Sequence, residues 1–143
     1  MTPETGGDDA SKTFSTASLG SMPIVTVEVV APTDAASVPS LAQLLADAVG
    51  LALNSPPGQT WVRVRAVSLD QYAENQTTPD PANLPVFVTL LERHPPQGAE
   101  LAREVTAVTR AVAKVVARPS HCVHIEYAPA ALGRLSFGGT LIQ

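Results

Sequence analysis

From residue 23 onward the chain alternates between two spacings of its apolar residues. The stretch "PIVTVEVV" (23–30) alternates apolar and polar positions with period two and is rich in valine, which predicts a strand. "APTDAASVP" follows as a loop in which Ser37 is placed to cap a helix. In "SLAQLLADAVGLALN" (40–54), Leu41, Leu44, Leu45, Val49 and Leu53 recur at helical spacing. "SPPGQT" then ends the helix with two prolines and a glycine. "WVRVRAVSL" (61–69) reads as a second strand, with Arg63 and Arg65 on one face because strand side chains alternate.

The same order of patterns returns about sixty residues later. "LPVFVTLLE" (84–92) is a strand. "GAELAREVTAVTRAVAKVVA" (98–117) is a helix with Leu101, Val105, Val108, Val112 and Val116 as its apolar stripe, and "HCVHIEYA" (121–128) is a strand. The chain is thus a βαβ unit used twice, with halves of about 23–84 and 85–143, and Val62-Arg63-Val64 corresponds to Val123-His124-Ile125. One such unit cannot bury its sheet. Two side by side make an α+β fold: a four-stranded mixed sheet, parallel within each unit, with both helices on one face. Both helices carry polar residues on their outer sides, so the other sheet face requires cover from further subunits or from the tail, which argues for an oligomer. The link "DQYAENQTTPDPAN" (70–83) is polar and turn-rich. In "PAALGRLSFGGTLIQ" (129–143) a helical turn leads into a small strand pair or a clamp onto a neighbour.

Composition narrows the function classes. The 143 residues fit one domain whose core is aliphatic, since only 4% are aromatic. The net charge of −4 and the lack of a basic stripe argue against nucleic acid as a partner, and no apolar run is long enough for a membrane span. Residues 1–22 precede the first strand. Gly/Ser/Thr-rich and without the pattern of a secretory signal, they read as a disordered leader, an extension or a misassigned start, and the expected compartment is the cytoplasm. Cys122 stands alone and reads as a buried small hydrophobe. His121, Cys122 and His124 alternate across a strand and do not converge on a metal ion.

Taken by themselves, these residues leave more than one reading each. Pro23, after Met22, is either an ordinary strand-initial proline or the first residue of a processed chain. Arg63 and Arg65 are a solvated strand face, an interface or a binding site. Arg93, ahead of "HPP", is a loop arginine or a carboxylate ligand. His124 and Glu126 share a face and are either a satisfied polar patch or part of a site.

The Met-Pro start in "MPIVTVEV", the duplicated unit, "TWVRV" and "VHIEYAPAALGRLSFGG" together resemble the tautomerase superfamily. The likeness is to its double-length, trimer-forming kind, such as 5-carboxymethyl-2-hydroxymuconate isomerase and macrophage migration inhibitory factor, and it runs from residue 23 to about 140. It implies a cofactor-free tautomerase or isomerase acting on a small carboxylate-bearing molecule, a 2-oxo or 2-hydroxy (di)enoic acid, in a homotrimer. Pro23 matches the amino-terminal proline whose secondary amine moves the proton. A proline nitrogen inside a peptide bond cannot do this, and the amine's pKa must fall toward neutrality for base work. The resemblance puts Arg63 at a substrate-binding arginine of 4-oxalocrotonate tautomerase and Arg93 near a carboxylate-binding arginine of cis-3-chloroacrylic acid dehalogenase-like members. Arg65 shares Arg63's face and joins the binding set. His124 and Glu126 stand where migration inhibitory factor has tyrosine and asparagine, and Leu135 and Phe137 where such members place apolar pocket wall. There are departures too. The helix-end lysine falls near Pro56, and the water-activating glutamate of the dehalogenase-like members falls near Phe137. The same fold also hosts hydratases, dehalogenases and decarboxylases of three-carbon acids. If Pro23 stays internal, a non-catalytic oligomer is the expected outcome.

Overall fold

The structure is a computed structural model, which describes residues 22–32 and 40–143. The loop position Ser37 and residues 1–21 lie outside the described residues. Strand β1 (Ile24–Ala31) leads to helix α1 (Leu41–Ala52) and strand β2 (Trp61–Ser68). Strand β3 (Val86–Leu91), helix α2 (Gly98–Val116) and strand β4 (Val123–Tyr127) repeat the sequence of elements. A two-residue hairpin, β5 (Ser136–Phe137) and β6 (Thr140–Leu141), follows. The strands are shorter than the alternating runs suggest because single 3-10 turns, Leu69–Gln71 and Ser120–Cys122, take over at the end of β2 and the start of β4.

The sheet order is β2-β1-β3-β4. The helical crossovers make β1 parallel to β2 and β3 parallel to β4, and the two units meet antiparallel at β1 and β3. Register follows from burial, since a one-residue slip would turn every valine outward. Val25, Val27 and Val29 of β1 and Val86, Val88 and Leu90 of β3 face the helices, where Leu41, Leu45 and Val49 of α1 and Val108, Val112 and Ala113 of α2 close over them. Burying a valine or leucine side chain contributes about 1.5–3 kcal/mol, so this aliphatic layer carries most of the stability without aromatic help. Of the expected helix stripes, Leu44 is half exposed, beside the buried line Leu41–Leu45–Val49 of α1, and Leu101 and Val105 at the start of α2 are only partly covered. Cys122 is buried, as expected for a small apolar residue.

The opposite sheet face has no helices. Cross-strand registers lay its residues out in rows: Arg65–Glu28–Phe87–His124, then Arg63–Thr26–Thr89–Glu126, then Trp61–Ile24–Leu91. The two arginines stand on one edge strand and Glu126 on the other.

Candidate active site

Three segments converge at the Pro23 end of β1. Pro23 is fully buried, and Met22 before it is buried as well. A proline suits this place because its missing N–H costs no ladder bond at the first position of a strand. Its carbonyl still accepts from the Trp61 backbone N–H at 3.1 Å. The second segment is the end of β3, where Leu91 lies opposite Ile24. The third is the return of residues 128–143. The Ala131 N–H donates to the Glu92 carbonyl (2.8 Å), Gly133 N–H to the Ile142 carbonyl (2.8 Å), and Ile142 N–H to the Leu135 carbonyl (2.9 Å). Gly133, Gly138 and Gly139 take positive φ angles that an L side chain strains to adopt, which is what lets the segment double back.

This return sets Phe137 edge-on against Trp61, ring centroids 5.1 Å apart. Leu135 lines a shallow pocket of about 200 Å³ with Leu91, Ala131 and Arg134. A larger cleft of about 460 Å³ lies between the outer side of α1 and the 55–60 turn, and shares Trp61 with this end of the sheet, but it is not lined by Pro23 or any of the expected arginines. Its size does not make it the better candidate, because the groups with proton-transfer chemistry lie elsewhere.

The site residues expected from the sequence separate into two groups. Pro23, Arg93, Leu135 and Phe137 gather at the end of the sheet. Arg93, just past β3, is half-buried; its guanidinium donates to the backbone oxygen of Gln143, and its buried Nε has no partner. Arg63, Arg65, His124 and Glu126 stand on the open sheet face instead, all exposed, the arginines on one edge strand and the other two on the opposite edge. The His124 ring lies 5.7 Å from that of Phe87, so it packs beside an aromatic ring. With strands about 4.8 Å apart, the two edges are roughly 14 Å from one another, and one small acid cannot bridge them within a chain.

Three ionisable groups at this end were not singled out from the sequence. Glu92, at the end of β3, is the single buried charged residue among the described residues. Burial first, then the nearby Glu104 carboxylate and a hydrogen bond to it, push its pKa up to about 8. Tyr127 donates its hydroxyl hydrogen to Glu104 Oε2 at 2.6 Å, and burial together with that carboxylate raises the phenol's pKa. The patterns did carry a signal. Glu92 continues the buried alternation Val86–Val88–Leu90, Tyr127 continues Val123–Ile125, and Glu104 sits one turn before Val108 on the apolar stripe of α2.

No family model and no curated protein sequence matches this chain. Solved structures do. A fused wild-type 4-OT symmetric trimer superposes with a TM-score of 0.61 at 17% identity, over 83% of this chain and 94% of its own. A macrophage migration inhibitory factor from Oncomelania hupensis gives 0.62 at 17% identity, over 84% and 97%. The FG41 malonate semialdehyde decarboxylase inhibited by 3-bromopropiolate gives 0.58 at 16%, over 80% and 88%. The chain therefore has the tautomerase/MIF fold: two βαβ units, one four-stranded mixed sheet and two helices. Among the described residues no helix is long and apolar enough to cross a membrane.

Proposed function

We propose that this protein is a tautomerase or isomerase that moves a proton within a small 2-oxo or 2-hydroxy (di)enoic acid, using the secondary amine of Pro23 as its base in a chain that begins at that residue. A start of translation at Met22 yields such a chain, because a small second residue such as proline permits removal of the methionine. The observation that carries the reading is the position of Pro23: buried, heading a central strand, at the end of the sheet where Arg93, Leu135 and Phe137 also come together. A dry site favours the neutral amine, the form able to take a proton from carbon. A guanidinium at Arg93 or Arg63 grips a carboxylate with two parallel hydrogen bonds and offsets the negative charge that develops on the enolate oxygen. Arg63, Arg65, His124 and Glu126, apart from Pro23 on the open sheet face within one chain, serve the site of a neighbouring copy in a homotrimer, where the edge carrying Arg63 and Arg65 meets an edge carrying Glu126.

A second reading is hydration, dehalogenation or decarboxylation of a three-carbon acid, with a protonated Pro23 as acid. It is favoured by the likeness to the malonate semialdehyde decarboxylase. If Pro23 remains inside the chain, the protein is a non-catalytic oligomer.

The test uses a chain started at Met22, which contains every helix and strand among the described residues, beside the full chain and a trimmed Pro23→Ala form. Ketonisation of a 2-hydroxydienoate and of phenylenolpyruvate is followed by absorbance, with 3-haloacrylates and malonate semialdehyde as competing substrates. The proposal expects turnover by the trimmed chain with its proline alone. Equal rates for that chain and its Pro23→Ala form would sink it.

A further inference from the structure

Glu92 lies where the strand register brings it to Pro23. The antiparallel pairing of β1 and β3 runs through Val27↔Val88 and Val25↔Leu90 to Ile24↔Leu91. Carried one step beyond the last observed pair, the same register sets Pro23 opposite Glu92. The alternation puts both on the helix-covered side, and both are buried. Directly opposed residues of an antiparallel pair have their Cβ atoms roughly 5 Å apart, within reach of a carboxyl group.

The groups around Glu92 come from every element packed there. Helix α2 supplies Glu104, and β4 supplies Tyr127, whose hydroxyl is bonded to Glu104 at 2.6 Å. The neighbouring core positions of β1, β3 and α2, among them Val25, Leu90 and Val108, are aliphatic and carry no titratable group. Arg93, next in the chain, is engaged with the Gln143 backbone oxygen. Glu104 accepts the tyrosine's hydrogen bond, and burial together with the nearby Glu104 carboxyl favours the protonated form of Glu92.

We propose that Glu92 is a positioning residue that sets the charge beside the Pro23 nitrogen, the two groups exchanging one proton between a neutral acid–amine pair and a carboxylate–ammonium pair. This rests on the reading of Pro23 as a terminal amine. No proton is gained or lost in the exchange: the one that leaves the Glu92 oxygen arrives on the Pro23 nitrogen. With Glu92 protonated, the amine has no anion beside it and stays available as a base. Once Glu92 is ionised, the ammonium is stabilised, as for any cation with an opposite charge a few ångströms away. Glu104 and Tyr127 keep the balance on the neutral side. The proton inventory of the site therefore belongs to the pair, not to the proline alone.

The experiment follows the terminal nitrogen of a 15N-proline-labelled chain started at Met22, by NMR, from about pH 5 to about pH 10. Wild type is compared with Glu92→Gln and Glu104→Gln. The wild-type nitrogen is expected to titrate in two steps. Glu92→Gln gives one step, lower by about one pH unit or more. Glu104→Gln leaves burial but removes the neighbouring carboxyl that also favours protonated Glu92, so it moves the amine the other way. Opposite signs from two neighbouring substitutions do not arise from simple loosening of the fold, and if Glu92→Gln fails to fold, the upward shift in Glu104→Gln still decides. An unchanged titration, or shifts of the same sign, overturns the proposal. Ketonisation by the same samples keeps the two ideas apart. Turnover with no nitrogen shift overturns the Glu92 role and leaves the tautomerase reading standing, whereas nitrogen shifts without turnover do the reverse.

Discussion

Replacing Glu92 by glutamine in the full chain isolates the cost of its charge from its shape. The folded protein holds the Glu92 proton to about pH 8, whereas a carboxyl in the unfolded chain releases it near 4.5. Between those two values the native state keeps a proton that the unfolded state has lost, so stability falls as pH rises through this window. The loss is absent below it and complete above it. Each pH unit corresponds to about 1.4 kcal/mol, which sets an upper bound of about 5 kcal/mol. Relaxation and water entry around the ionised carboxylate lower the expected loss to about 2–3 kcal/mol. Asp70 and Asp80, held below the ordinary carboxyl range by hydrogen bonds from Ser68 and from the Ala82 N–H respectively, act below this window and do not mask it. Urea unfolding at fixed protein concentration, at intervals from about pH 5 to about pH 9, measures the slope. Wild type should lose stability across the range, and Glu92→Gln should lose much less, so that the variant becomes the more stable protein at the alkaline end. Parallel profiles for the two proteins would refute the assignment of a raised carboxyl at this position.

Three further outcomes follow from contacts elsewhere. Phe137→Ala removes the edge-to-face partner of Trp61, the one tryptophan in the chain. Its emission should shift to the red with a stability loss of about 1 kcal/mol, and an unchanged spectrum would mean that the hairpin does not rest there. Leu45→Ala empties a fully buried position in the middle of α1 and should cost about 2–5 kcal/mol in urea unfolding, with a loss under 1 kcal/mol counting against the packing described. Asn83→Ala removes the acceptor of the His121 ring nitrogen at 2.8 Å and the donor to Asp80 at 2.7 Å, so the 80–85 turn should exchange its amide hydrogens faster while global stability drops by only about 1 kcal/mol.

The architecture was legible because each level of the sequence agreed with the next. Valine alternation in 24–30 and 86–90, helical spacing in 41–49 and 108–112, and a repeat of about sixty residues all describe one two-unit sheet. Element ends were less legible, since nothing in the alternation at Ser68 or His121 announces the 3-10 turns that cut the strands short. The polar residues were harder again. Arg63 and His124 could be assigned a face, but not the distance across the sheet that separates the edges carrying them. Glu92, Glu104 and Tyr127 were passed over because an acid inside an apolar pattern looks like the end of that pattern. Only the packing of α2 against β3 and β4 makes the three one cluster.

The exposed link between the halves, residues 70–83, is the single covalent connection between two units that otherwise meet through six β1–β3 register pairs, through the helices and through the Trp61–Phe137 contact. A backbone break placed in that link would leave every helix and strand whole. The domain is therefore suited to a split-protein format, in which two separately expressed polypeptides report their own reunion by regaining a common sheet.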